Sequence, residues 1–274
     1  MSTVTTSPDF AAITTRQQKT WSSGDYSAVA ARIPLISELL CDAADLRSGS
    51  RVLDVAGGSG NTALAAARCG CDVVSLDYVP SLLERGRQRA AAEGLPIEFV
   101  TGDAQALPFE DGSFDAVVSA VGVMFAPDQA RTADEMLRVC RSGGTIALAN
   151  WTPEGFIGGL LRTVGAHVPP PAGISPPTLW GTDGHVRELL GHSAHDIWAR
   201  RREFVFRFDA PEHFTAFFRE HYGPTLMAFA ALDGSGQRAL AAHIDDLVRR
   251  FDRNKGEGPC AIVAEYLEVV ATRD

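Results

Sequence analysis

The chain has 274 residues, 45% of them hydrophobic and 22% charged, with a formal net charge of −9. That describes one large globular domain, or one domain with a sizeable insertion, able to bury its own core. The acidic balance offers nucleic acid no electrostatic help, and no apolar run approaches the roughly 18 residues that span a bilayer, so neither a nucleic-acid nor a membrane partner is expected. Cys41, Cys69, Cys71, Cys140 and Cys260 repeat no zinc-ligand spacing. Reduced, mostly buried thiols, no metal and, without a secretory leader, a cytoplasmic location are expected.

Residues 1 to about 20 read as a polar arm. From Gly24 to Leu46 the pattern is helical, with Ile36, Leu39, Leu40 and Ala43 on one stripe and Pro34 marking a start or kink. "RVLDVA" is a short strand and "NTALAAARCG" a small-residue helix stopped by Gly70. "DVVSLD" is the next strand. Pro80 opens a helix that runs to about Glu93, with Gly94 as its stop. "IEFVTGD" is a third strand and "SFDAVVSAVGVM" a fourth. A helix capped by Asp128 leads to Cys140, and "TIALANW" is a fifth strand. Apolar strands alternating with helices predict a doubly wound α/β unit with a mostly parallel sheet.

After Trp151 the texture changes. "VPPPAGISPPTLWG" holds five prolines and predicts irregular structure. Helices are expected near 182–190, 211–221 and 236–251, the last with Ser235 near its N-cap. "EFVFRF" and "CAIVAEYLEVVATR" read as strands that extend the sheet at its far edge. The expected organisation is an N-terminal arm and lid helix (1–45), a ligand-binding core (46–151), and a region (152–274) that adds acceptor-pocket or lid segments and completes the same domain.

"VLDVAGGSGNTAL" places its glycines where a strand turns into a helix. Glycine permits close approach to the backbone, and a helix beginning near Asn61 points free N–H groups and a positive dipole end into that space. Gly58, Gly60 and Ala63 fit G-x-G-x-x-A, and Asp77 ends the second strand 19 residues after Gly58, where a carboxylate accepts hydrogen bonds from a ribose diol. A nicotinamide-dependent oxidoreductase therefore competes at this point. Asp54 precedes the glycines, either organising the loop or facing an ammonium group. Asp103 follows the third strand, where an adenine amino group is read. Residues Ser119 to Gly144 contain no tyrosine and no lysine, which counts against a short-chain reductase.

The run from Arg51 to Trp151, "VLDVAGGSG…SLDYVPSLL…GDAQALPFEDGSFDAVVS…LRVCRSGGTIALANW", resembles the class I S-adenosylmethionine-dependent methyltransferases, and most closely the small-molecule branch that includes the ubiquinone/menaquinone C-methyltransferases. The resemblance implies a Rossmann-like seven-stranded sheet, mostly parallel with an antiparallel edge strand, and S-adenosyl-L-methionine as cofactor. It implies that Ala56, Gly57, Gly58 and Gly60 line the methionine and ribose part, that Asp77 holds the ribose hydroxyls, and that Tyr78 stacks near adenine. Asp103 and Ala104 would contact the adenine edge, and Ser119 would sit under the sulfonium. Ala56 departs from the family pattern, which has glycine there, and its small side chain predicts tolerance.

The partner so implied is a small-molecule methyl acceptor, mostly apolar, methylated on carbon, oxygen or nitrogen. Met124, Phe125 and Trp151 leave the fourth and fifth strands where such an acceptor would lie. Methyl transfer needs a general base only if the acceptor must lose a proton; His167, His221, Tyr222 and Tyr26 are the candidates. "QQKTWSSGDYS" is a candidate lid, with Trp21 and Tyr26 shielding the donor. A protein that binds the donor without methylating is the remaining alternative.

Overall fold

The computed structural model describes residues 8–274. Seven strands form one sheet in the order β3-β2-β1-β4-β5-β7-β6. They are β1 (Arg51–Val55), β2 (Asp72–Asp77), β3 (Ile97–Thr101), β4 (Phe114–Ala120), β5 (Cys140–Trp151), β6 (Ala194–Phe208) and β7 (Cys260–Arg273). The first five are parallel, whereas β7 inserts antiparallel between β5 and β6. The expected Rossmann-like sheet with an antiparallel far edge is therefore present. Strand order reverses at β1, which has β2 on one side and β4 on the other, so a crevice opens at their carboxyl ends.

The core follows from residue type. β1 buries Val52, Leu53 and Val55, and β5 buries Ile146, Ala147, Leu148 and Ala149. Both strands are covered on two faces and are apolar almost throughout. Helix α4 (Asn61–Arg68) packs closely because it is built of small residues; Thr62 to Ala67 are all buried. Helix α5 (Pro80–Glu93) begins with proline at N1 and ends on Gly94 at φ +66°, as Pro80 and Gly94 predicted. Helix α6 (Gln129–Val139) is capped by Asp128, whose side chain accepts from Arg131 N at 3.0 Å.

Several expectations are corrected. The supposed N-terminal arm contains helix α1 (Phe10–Trp21), capped by Asp9, which accepts from Ala12 N at 3.0 Å. Only residues 1–7 of that arm lie outside the described residues. The single helix read over 24–46 is two, α2 (Tyr26–Ala30) and α3 (Pro34–Ala43). Proline removes helical freedom from the residue before it, and the chain breaks at Ile33. The buried stripe of α3 is Ile36, Ser37, Leu40 and Cys41, rotated from the expected one. β4 ends at Ala120 rather than Met124, because Val121 turns to φ +56° and Val123–Phe125 form a short 3-10 turn.

Beyond Trp151, α7 (Phe156–His167) and α10 (Gly223–Ala230) were not expected, whereas α8 (Asp183–Leu190), α9 (Pro211–His221) and α11 (Gly234–Phe251) were. The N-cap of α11 is Asp233, with Ser235 close by as expected; Asp233 accepts from Gly236 N at 2.7 Å and from the Ser235 hydroxyl at 2.8 Å. β6 begins at Ala194, earlier than "EFVFRF" suggested, because pairing with β7 carries strand geometry through polar residues that have no apolar alternation. Phe156, Phe206, Phe214 and Phe218 join α7, α9 and β6 in an aromatic core, with Phe214 and Phe218 stacked at 4.1 Å.

Candidate functional site

The crevice at the carboxyl ends of β1, β2, β3 and β4 is a cleft with about 630 Å³ of open space. Its floor is built by four turns. After β1 the chain enters left-handed conformations at Ala56 (φ +54°), Gly58 (φ +56°) and Gly60 (φ +84°) before α4 starts. An alanine there costs about 1–2 kcal/mol in backbone strain, which is the physical meaning of its departure from the family glycine. Gly57 packs between Asp54 and Ser75 so tightly that no side chain fits. Arg89, reaching over from α5, donates to Ser59 O at 2.7 Å and Asn61 Oδ1 at 2.8 Å and so locks the loop from outside.

Asp77 joins two of these turns. Its Oδ2 accepts from Gly58 N at 2.9 Å and its Oδ1 from Val79 N at 2.8 Å. It is 5% exposed and lines the cleft. Burial pushes its pKa up to about 6 against the opposing pull of the amides. Asp54 lies beneath the loop, wholly buried. Its Oδ2 accepts from Ala63 N at 3.0 Å and from Ser75 Oγ at 3.4 Å, while Oδ1 has no partner. Burial first, with the nearby Asp77 charge adding to it, raises its pKa to about 7.

Both carboxyls hold protons more tightly folded than unfolded. The stability they contribute is thus fully present below about pH 4 and is lost as pH rises through 6 and 7. Asp54→Asn removes the larger part of that dependence. The melting temperature of the variant is expected to fall less than that of the wild type between pH 5 and 8. Parallel curves would contradict the assignment.

The loop after β3 is held from the side. Arg138 donates to Phe109 O at 2.7 Å and Leu107 O at 3.0 Å, and Glu135 Oε2 accepts from Leu107 N at 2.7 Å. Asp103 Oδ1 accepts from Gln105 N at 2.9 Å. Gln105 in turn donates to Thr14 Oγ1 at 2.9 Å and accepts from Asp128 N at 3.1 Å.

The cleft collects Ala56, Gly58, Asp77, Tyr78, Asp103, Ala104, Phe125, Trp21 and Tyr26 among the residues singled out in the sequence. Others lie elsewhere. Gly57 and Asp54 support the loop from behind, and Gly60 packs toward Phe99 and Gly86. Ser119 is wholly buried; its hydroxyl donates to Val55 O at 2.7 Å and accepts from Val123 N at 3.2 Å, so it ties β4 to β1 rather than facing the cleft. Met124 is fully buried core, and Trp151 is buried against Phe206 and Tyr266. Neither lines the cleft.

The base candidates fare similarly. His167 pairs with His243 at 2.9 Å between α7 and α11, and His221 packs on Phe217; neither lines the cleft. Tyr222 is buried behind Trp21 and Tyr26, and burial raises its pKa well above the ordinary tyrosine value. Tyr26 does line the cleft, its ring about 3.8 Å from where a Gly58 side chain would begin. Burial, reinforced by the Asp77 charge, pushes the pKa of its phenol well above the ordinary tyrosine value, which opposes a role as base.

One face of α1 reaches further toward its N-terminus than the candidate lid "QQKTWSSGDYS", which began at Gln17 and left out Thr14. Thr14, Gln17 and Trp21, spaced i, i+3 and i+7, close the cleft from above. Trp21 meets Phe125 at 4.7 Å and Tyr26 at 5.4 Å. The signal was the spacing, hidden because the intervening residues are polar on every side.

Residues 53–148 match the family described as a methyltransferase domain. An uncharacterized protein of Mycobacterium tuberculosis is 43% identical over 243 residues, covering 86% of this chain and 88% of its own length. A demethylmenaquinone methyltransferase of Renibacterium salmoninarum is 40% identical over 126 residues, 46% of this chain and 51% of that protein. Among solved structures, phosphoethanolamine N-methyltransferase 2 of Haemonchus contortus, in complex with phosphomonomethylethanolamine and S-adenosylhomocysteine, aligns with a TM-score of 0.56 over 86% of this chain and 52% of that one, at 16% identity. That last likeness is one of fold.

Proposed function

Because the chain belongs to the class I S-adenosylmethionine-dependent methyltransferases, we propose that it transfers the methyl group of S-adenosylmethionine to a carbon, oxygen or nitrogen of a mostly apolar small-molecule metabolite. The donor, when bound, supplies an electrophilic methyl on a sulfonium. The chain's own residues bind, orient and exclude water.

The cleft fits such a nucleoside. Each oxygen of Asp77 takes one main-chain N–H, which leaves lone pairs for the ribose hydroxyls. We assign Tyr78, Asp103 and Ala104 to the adenine side and Ala56 and Gly58 to the methionyl side. Asp54, Gly57, Gly60 and Ser119 shape the loop without touching the nucleoside.

The composition of the cleft wall carries the acceptor class. Among the described residues, Asp77 and Asp103 are the only charged groups that line it, both on the donor side, and Trp21, Val121, Val123 and Phe125 give it apolar wall. A charged acceptor would lose its hydration there without a partner. Among the described residues no histidine lines the cleft, and burial raises the pKa of the Tyr26 phenol. Alignment in a dry site therefore supplies most of the acceleration.

The test is release of S-adenosylhomocysteine with a panel of phenols, hydroquinones, amines and charged metabolites. Turnover confined to charged members would refute the acceptor class, and failure of the protein to bind S-adenosylhomocysteine would refute the donor site. With a productive acceptor, His167→Asn and His221→Asn are expected to retain kcat/KM within about twofold, whereas loss of a true general base costs about a hundredfold or more.

A further inference from the structure

Helix α1 buries none of its residues, yet it lies across the cleft. Its polar attachments go to the two turns that flank the nucleoside side. Gln18 Nε2 donates to Tyr78 O after β2, and Thr14 Oγ1 accepts from Gln105 Nε2 at 2.9 Å after β3. Between those anchors lies Gln17. It lines the cleft, and its Oε1 is shielded from water with no hydrogen-bond partner.

A shielded carbonyl without a donor is unfavourable, and such a group in a binding cleft is accounted for when a ligand completes it. The charged groups of the cleft, Asp77 and Asp103, are also acceptors. The missing partner is therefore a hydrogen-bond donor.

We propose that Gln17 is a donor-recognition residue whose side-chain carbonyl accepts a hydrogen bond from the bound adenosyl group, which makes α1 part of the nucleoside site and not only its cover. This rests on the donor assignment above. An adenosyl group offers two sources of the required hydrogen: the exocyclic amine of adenine and the ribose hydroxyls. Both satisfy the same acceptor, and substrate analogues separate them.

The experiment is calorimetry of the full chain with S-adenosylhomocysteine, its hypoxanthine analogue and its deoxyribose analogues, on wild type and Gln17→Leu. Leucine keeps the approximate bulk and removes the acceptor. Affinity for S-adenosylhomocysteine is expected to fall about five- to tenfold, while the melting temperature of the unliganded variant stays level or rises, since an unpaired buried acceptor has been removed. The wild type's preference for S-adenosylhomocysteine over one of the analogues should shrink by the same factor in the variant. Shrinkage with the hypoxanthine analogue assigns the amine; shrinkage with a deoxy analogue assigns the hydroxyl.

Affinity within about twofold of wild type would overturn the proposal. So would an affinity loss accompanied by a lower unliganded melting temperature, or one with no change in preference for either analogue. Those failures leave the donor site standing if wild type binds S-adenosylhomocysteine; absence of binding by wild type would remove both.

Discussion

Asp77→Ala is expected to weaken S-adenosylhomocysteine binding by about 3 kcal/mol, roughly a hundredfold or more. Two effects combine. The ribose hydroxyls lose a buried acceptor, and the amides of Gly58 and Val79 lose the carboxylate that holds their two turns in register. Asp77→Asn separates them. Its carbonyl oxygen still accepts from one amide, but its NH₂ opposes the other, so it should recover part of the loop's order and little of the affinity. Calorimetry reads the binding, and thermal melting of the unliganded protein reads the loop. An Asp77→Ala affinity within a factor of two of wild type would remove Asp77 from the site. Because burial raises the carboxyl to a pKa of about 6, the comparison belongs at pH 8, where the wild-type group is ionised.

Gly57→Ala should be the most damaging single methyl group in the molecule's core loop. The added carbon would fall on Ser75 Oγ and lie 2.5 Å from Asp54 Oδ2. Both side chains are wholly buried, so neither has space to retreat. Overpacking of this kind costs about 1–3 kcal/mol, or roughly 2–4 °C of melting temperature per kcal/mol in a domain of this size. Displacing Asp54 also moves its bond to Ala63 N at the start of α4, and donor affinity should fall more than about tenfold.

Gly58→Ala, one residue on, is the instructive control. There the space is open, with Tyr26 at 3.8 Å, and the penalty is only that of a left-handed alanine, about 1–2 kcal/mol. A Gly57→Ala melting temperature level with wild type would show that Gly57 is not sterically confined.

How much of this was legible in the sequence follows the range of the forces involved. The strand–helix alternation from Arg51 to Trp151 was readable because each signal is local. Apolar runs mark the buried strands, Pro80 and Gly94 bracket α5, and Asp128 caps α6. The glycine turn and the placement of Asp77 at a strand end are equally local, and they locate the cleft.

Which candidates face that cleft was not local. Met124 and Phe125 are neighbours with similar apolar character. The 3-10 turn after Val121 sends the first into the core and the second into the cleft. Trp151 looked like an acceptor wall and is core, because β7 pairs alongside and brings Tyr266 against it. Helix α1 lacks an apolar stripe and so read as an arm; its cap and its contacts to Tyr78 and Gln105 hold it in place.

The sequence by itself determined the doubly wound sheet, the position of the crevice and the acidic residue at its edge, since these depend on periodicity, turn chemistry and spacing within a few dozen residues. Only the tertiary structure decided which side chains share the crevice, which carboxyls burial makes harder to ionise, and which histidines lie outside it. Solvent exclusion and contact between distant segments set those properties, and both arise only when the whole chain is packed.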